Sequence, residues 1–243
     1  NFKEKTIYGV ARHQISKHSC DTMIFDIKEL KIKEVTLGSN KETPTNYAIG
    51  ESDVLLGQAL SVKIDSNTTQ VNIYYRTTKN TEALDWLSPE LTTGGKYPFM
   101  YTQGQAILTR SWIPIQDTPM NRITYSADVR VPKRLLAIMS AANPIKKNQS
   151  GIYHFEMKQR IPAYLIAMAV GDMKYTSLGN KCGVYSEPEL AEACRYEFAD
   201  LSKKGPWYWG QFPNEGSVEI RMRKRYLHIA TFFSPKTIEQ GPN

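Results

Sequence analysis

The sequence predicts a mainly β protein: an antiparallel β-sandwich or saddle-like sheet with a short helical segment near the C-terminus. Three observations predict it. Apolar and polar residues alternate with a period of two in most segments between Thr22 and Val170, as in half-buried strands. Polar or Pro-containing turns separate those runs at the short intervals of all-β domains. Aromatic residues make up 11% of the chain, with 14 Tyr, and such side chains suit a pleated surface.

The elements follow in chain order. Ile24, Asp26 and Lys28 share one face of an extended segment, and Phe25 and Ile27 share the other. After a break near Lys28–Glu29, Leu30 and Ile32 alternate with Lys31 and Lys33, which gives a second strand. Gly38–Pro44 is expected to be a loop. Ala59–Ile64 and Val71–Thr77 alternate again, joined by the polar turn Asp65–Thr69. Ile123–Val131 alternates and stops at Pro132. Leu135–Ala141 and Ile152–Lys158 follow, with a turn at 143–150. A helical period emerges only at Glu187–Ala199. Ser186 is its candidate N-cap, and Pro188 and the acids fall in its first turn, where they suit unpaired amides and the helix dipole.

Composition narrows the classes of function. A chain of 243 residues forms one large domain or two modest ones. With 41% hydrophobic and 23% charged residues, wholesale disorder is excluded. The longest strongly apolar stretch, Ile161–Val170, is half the ~20 residues that a membrane helix needs. No signal peptide is visible at Asn1, and the missing Met reads as a mature or trimmed form. The expected location is soluble, cytoplasmic in preference to periplasmic or secreted. The net charge is +7, but the positive residues are scattered, with one dense run at Arg221–Arg225. Such a run is a solvated face, so neither nucleic acid nor membrane is an expected partner.

Catalytic and metal chemistry find no pattern. The three cysteines, Cys20, Cys182 and Cys194, form no Cys-x-x-Cys pair. None of the four histidines, His13, His18, His154 and His228, stands four residues from another, so no helical zinc pair is expected. Gly94-Gly95 lacks the Lys-Ser/Thr of a phosphate loop, and no Gly-x-Ser-x-Gly elbow occurs. Asp85 and Glu90 have no second carboxylate placed opposite them. Asp117-Thr-Pro119 is a turn signal. Gln103 and Gln105 are the candidate substrate-binding pair. Two apart on a strand, their amides would face one way and could fix a peptide backbone by donating and accepting.

Six motifs in order carry a resemblance. They are Ala83-Leu-Asp-Trp-Leu-Ser-Pro-Glu-Leu-Thr92, Tyr101-Thr-Gln-Gly-Gln-Ala106, Ile113-Pro-Ile-Gln-Asp-Thr-Pro119, Pro162-Ala-Tyr-Leu-Ile-Ala-Met-Ala-Val-Gly171, Tyr196-Glu-Phe198 and Gly205-Pro-Trp-Tyr-Trp-Gly-Gln-Phe212. Over residues 5–212 the chain resembles the amino-terminal part of the gluzincin zinc aminopeptidases. The likeness is strongest to the leukotriene hydrolase and aminopeptidase B branch.

The resemblance implies an all-β amino-terminal domain over 1–185 and the start of a catalytic-domain-like region at 186–212. The basic stretch 213–243 has no counterpart and carries no structural expectation. It implies that Gln103 and Gln105 line one wall of a peptide-binding cleft, and that Pro162–Gly171 is the domain's last strand. The family's His-Glu-x-x-His and Gly-x-Met-Glu-Asn motifs do not occur in these 243 residues. No catalytic residue, zinc ligand or cofactor is therefore expected here; zinc belongs to the full-length family. The expected partners are a peptide substrate, reached through a catalytic domain, and a protein partner or second copy at an apolar patch near Trp207–Phe212 and Gln103–Gln105. The alternative is a stand-alone, non-catalytic module that binds peptides or proteins.

Overall fold

The computed structural model describes residues 1–16, 19–179, 183–199, 218–223 and 226–231. Among them the chain is built from antiparallel strands, with one α-helix and short 3-10 turns. It divides into two compact units that interleave along the sequence. Unit 1 comprises residues 1–84, 103–121 and 162–164, and unit 2 comprises 85–102, 122–161 and 165–243.

Unit 1 is a sandwich. Its strands are β1 (Tyr8–Gln14), β2 (Thr22–Ile27), β3 (Leu30–Leu37), β4 (Thr43–Pro44), β5 (Tyr47–Ile49), β6 (Gln58–Lys63) and β7 (Gln70–Thr77). They form one sheet in the order β1-β7-β3-β4 and another in the order β2-β6-β5. The period-two pattern decides which faces meet. Phe25 and Ile27 are buried with Leu60 and Val62 from the paired strand, and Val35, Val71 and Ile73 from the other sheet join the same cluster. Ile24 faces outward. Glu29, with φ of 55°, makes the reversal between β2 and β3 where the sequence breaks. The loop expected at Gly38–Pro44 contains β4, because Thr36 and Leu37 pair with Pro44 and Thr43.

Unit 2 carries β8 (Leu84–Leu87), β9 (Phe99–Thr102), β10 (Arg122–Arg130), β11 (Leu136–Met139), β12 (Ile152–Pro162), β13 (Met168–Gly171), β14 (Lys174–Ser177), β15 (Gly183–Ser186), α1 (Ala191–Glu197), β16 (Val218–Arg223) and β17 (Tyr226–Thr231). Its sheets run β10-β12, β11-β13-β9-β8 and β14-β15-β17-β16. Along β12 every second residue from Tyr153 to Met157 is buried, as the alternation predicts. Gly171 has no room for a side chain: a Cβ there would lie 2.1 Å from the Phe99 ring on the adjacent strand.

Two expectations change here. The apolar run 161–171 is not one final strand. It ends β12, makes a 3-10 turn at Ala163–Leu165 and resumes as β13, and β14 and β15 follow. Ser186 does not cap the helix. Its hydroxyl donates to the Glu187 carbonyl at 3.1 Å, and the first turn, Pro188–Leu190, is 3-10, so α1 begins only at Ala191. In place of a cap, the Glu187 carboxylate accepts from the Thr93 amide at 3.0 Å and the Thr93 hydroxyl at 2.9 Å. Within 213–243, for which the sequence set no structural expectation, β16 pairs antiparallel with β17 and β17 with β15. No helix among the described residues is long and apolar enough to cross a membrane.

Candidate functional site

The candidate site is the segment Gln103–Trp112 of unit 1. Strand β9 ends at Thr102, so Gln103 and Gln105 are not on a strand, and the alternation argument for a shared face fails there. A turn follows instead, in which the Leu108 amide donates to Gly104 O at 2.8 Å and the Ser111 amide to Leu108 O at 3.0 Å. The next residues tighten into a 3-10 turn at Thr109–Ser111, whose three side chains are all buried. Gln103, Gln105 and Ala106 stay exposed. The segment alternates between anchoring and display, but on turn geometry.

Its anchors are polar. The Gln103 amide donates to Ala83 O at 2.8 Å, and Ser111 Oγ accepts from the Ala83 amide at 3.1 Å. Thr109 Oγ1 donates to Ala163 O at 2.9 Å. Gly104 sits where only glycine fits: a Cβ there would stand 2.8 Å from both Thr109 Oγ1 and the Tyr164 carbonyl oxygen. These contacts hold the backbone between the two glutamines on both sides and leave their amides to solvent. The Gln105–Ala106 peptide is cis.

Behind the turn lies a buried ion pair that the sequence reading did not single out. Arg110 and Asp117 side chains are 6% and 2% exposed, with Arg110 Nε 3.4 Å from Asp117 Oδ2. The same carboxylate oxygen accepts from the Arg110 amide at 3.0 Å, and Arg110 Nη2 donates to Asp117 O at 2.7 Å. Arg110 Nη1 donates to Leu56 O at 2.6 Å, and Asp26 Oδ2 accepts from the Asp117 amide at 2.8 Å. Burial pushes the Asp117 carboxyl above its ordinary range, and the nearby Asp26 charge adds to the rise, against the pull of the Arg110 amide and guanidinium. The turn signalled by Asp117-Thr-Pro119 falls at Pro119–Met120, and Asp117, just before it, ties the segment to Arg110. The only sequence signal was an Arg and an Asp seven residues apart, which no local pattern makes meaningful.

The other candidate residues do not converge on this segment. His13 Nε2 donates to Pro114 O at 2.9 Å, and its ring lies 4.5 Å from that of Phe25. Burial drives its pKa down to about 4, only partly opposed by the Pro114 bond. His154, on the exposed face of the β10–β12 ribbon, pairs with Asp128 at 2.9 Å. Asp85 hydrogen-bonds Tyr101 within unit 2; burial first, and Asp85 second, push that phenol up to about 12. Gly94 lies against the Glu189 carboxylate, where a Cβ would stand 2.9 Å from Oε1. His18, Cys182, Trp207 and Trp209, with the patch expected at Trp207–Phe212, lie outside the described residues. Among the described residues no three His, Cys, Asp or Glu side chains gather in a way that could hold a metal ion.

Residues 1–165 match the Peptidase M1 N-terminal domain, and the chain belongs to that family. It is 34% identical over 212 residues to leukotriene A-4 hydrolase of Xenopus laevis, covering 80% of this chain and 34% of that protein. It is 41% identical over 136 residues to aminopeptidase B of Rattus norvegicus, covering 52% of this chain and 21% of that protein. The solved structure of native leukotriene A4 hydrolase from Saccharomyces cerevisiae superimposes with a TM-score of 0.73 at 31% identity, covering 84% of this chain and 32% of that one. The chain spans about a third or less of the length of these relatives. The mainly antiparallel β fold is the family's amino-terminal domain.

Proposed function

We propose that this chain is the substrate-wall domain of a zinc aminopeptidase, in which Gln103 and Gln105 hold the peptide while residues outside this chain supply the metal and the chemistry. The observation that carries the reading is the clamped turn: two exposed amides on a backbone fixed by Ala83, Ser111, Thr109 and Ala163. A backbone held in advance removes the cost of ordering the turn, so only the two side chains lose freedom when a peptide binds.

Among the described residues the side chains do not fit a resident zinc. A hydrolytic zinc needs about three protein ligands and an open position, and no such cluster occurs among the described residues. The chain's own part is to bind and orient: amide N–H groups toward peptide carbonyls, amide oxygens toward peptide N–H groups. The expected partner is a peptide in a cleft completed by a catalytic domain, and a cytoplasmic location accords with this use.

Two preparations test the reading. The 243-residue chain alone should carry no stoichiometric zinc and release no residues from aminoacyl anilides. A chimera should turn those anilides over, with this chain replacing the matched part of the Saccharomyces cerevisiae hydrolase. Metal-dependent turnover by the chain alone, or a folded, zinc-loaded chimera without activity, would overturn it.

A further inference from the structure

We infer that Thr109 is a positioning residue: its buried hydroxyl fixes where Gly104 sits, and through Gly104 it sets the places of Gln103 and Gln105 without itself meeting substrate. The inference rests on the substrate-wall reading and adds to it a residue that acts only through the glutamines.

Three consecutive side chains follow the turn, and they leave it in different directions. Thr109, Arg110 and Ser111 are all buried, at 0%, 5% and 0% exposure. The Ser111 hydroxyl closes the turn on itself and on the segment before β8, donating to Leu108 O at 2.7 Å and accepting from the Ala83 amide at 3.1 Å. Arg110 reaches away to Asp117 and to Leu56 O. Of the three, Thr109 is the one that meets the residue between the glutamines. A Cβ at Gly104 would stand 2.8 Å from Thr109 Oγ1.

That hydroxyl is held from behind. It donates to Ala163 O at 2.9 Å, across 54 residues of sequence. The next carbonyl oxygen, that of Tyr164, is the other atom 2.8 Å from the Cβ position at Gly104. Ala163 and Tyr164 open the 3-10 turn Ala163–Leu165 and belong to the same compact unit as residues 103–121. Gly104 is therefore gripped between Thr109 and this distant turn, and one hydrogen bond ties the two jaws together. On the chain itself, the Leu108 amide donates to Gly104 O at 2.8 Å, which fixes the peptide plane leading into Gln105.

A buried hydroxyl is a costly way to fill space. Valine has nearly the same shape and no polar group to satisfy. What the hydroxyl adds is direction, because a hydrogen bond weakens steeply off line whereas apolar burial is indifferent to angle. Direction matters where side chains must meet a substrate, since a misplacement of ~1 Å can cost about 100-fold in rate.

The test is a mutant cycle on kcat/KM for a peptide anilide in the Saccharomyces cerevisiae chimera, with melting temperatures beside it. Thr109→Val should lower kcat/KM about tenfold. Thr109→Ala should lower it by the same factor, although this variant melts at a lower temperature than the valine one. Thr109→Ser keeps the hydroxyl and should stay within about twofold of the unsubstituted chimera. In a chimera already carrying Gln103→Ala and Gln105→Ala, Thr109→Val should add no further loss, because its effect runs through those side chains. A Thr109→Val loss that persists in that background overturns the inference. So does a Thr109→Val chimera as active as the unsubstituted one, or a set of losses that follows melting temperature across Val, Ala and Ser. If Gln103→Ala with Gln105→Ala leaves kcat/KM unchanged, the substrate-wall reading itself fails and this inference falls with it.

Discussion

The sandwich of Thr22–Thr77 and the connector Gln103–Pro119 belong to one compact unit, yet they are held by opposite means. The sandwich rests on an apolar cluster in which Phe25, Ile27, Leu60, Val62, Val71 and Ile73 are at most 1% exposed. The connector rests on directed polar contacts: Arg110 on Asp117 and Leu56 O, Thr109 on Ala163 O, Ser111 on the Ala83 amide. Apolar burial tolerates reshaping, because area sets its strength. A buried ion pair tolerates little, because removing one partner strands the other. The connector's backbone is thus held by contacts that define position, while the sandwich beneath it is held by contacts that define only proximity.

The largest effects should come from each region's centre, and they should differ in kind. Phe25→Ala should cost about 4 kcal/mol in denaturant unfolding, through lost burial and a residual cavity, with Phe25→Leu recovering much of it. Arg110→Met should cost about 3–5 kcal/mol by leaving Asp117 uncompensated. Changing Asp117 to Leu in the same chain should restore part of that loss, since an apolar pair no longer strands a charge. If the double variant is as unstable as the sum of its parts, the pair is not what holds the connector.

A smaller effect separates the regions by pH. The folded state holds His13 neutral, with its pKa pushed down to about 4, whereas the unfolded chain titrates near the ordinary value of about 6.5. Below pH ~6.5 the unfolded state therefore binds a proton that the folded state refuses, so stability falls as the pH drops from ~6.5 to about 4. The loss should be on the order of 2 kcal/mol. His13→Gln should flatten this limb of the stability curve measured by urea titration at stepped pH. An unchanged limb would remove His13 from the account. The smallest effect should be at the display positions: Gln103→Ala and Gln105→Ala should each leave stability within about 0.5 kcal/mol.

The same contrast explains what the sequence disclosed. Period-two burial is a local signal, so Thr22–Ile27, Gln70–Thr77 and Arg122–Arg130 were legible as strands close to their observed bounds. Gln103 and Gln105 were singled out through spacing and resemblance, but the turn that carries them was not legible. That geometry comes from Gly104 against Tyr164 and from Thr109 against Ala163, contacts some sixty residues distant in sequence. The helix start was misplaced for a related reason. Ser186 looks like a cap locally, but Thr93 takes the Glu187 carboxylate from ninety-four residues away. Arg110 gave no signal, because a buried Arg and a surface Arg look alike until the fold brings Asp117 and Asp26 to it.

The central claim is the proposal that the side chains of Gln103 and Gln105 hold substrate and do not stabilise the fold. The most direct measurement is kcat/KM for a peptide anilide in the Saccharomyces cerevisiae chimera carrying Gln103→Ala together with Gln105→Ala, beside its melting temperature. The account predicts a fall of about 10- to 100-fold in kcat/KM, the size expected for losing one or two hydrogen bonds to bound substrate, with the melting temperature unchanged. An unchanged kcat/KM, or a loss that follows a lowered melting temperature, would contradict it.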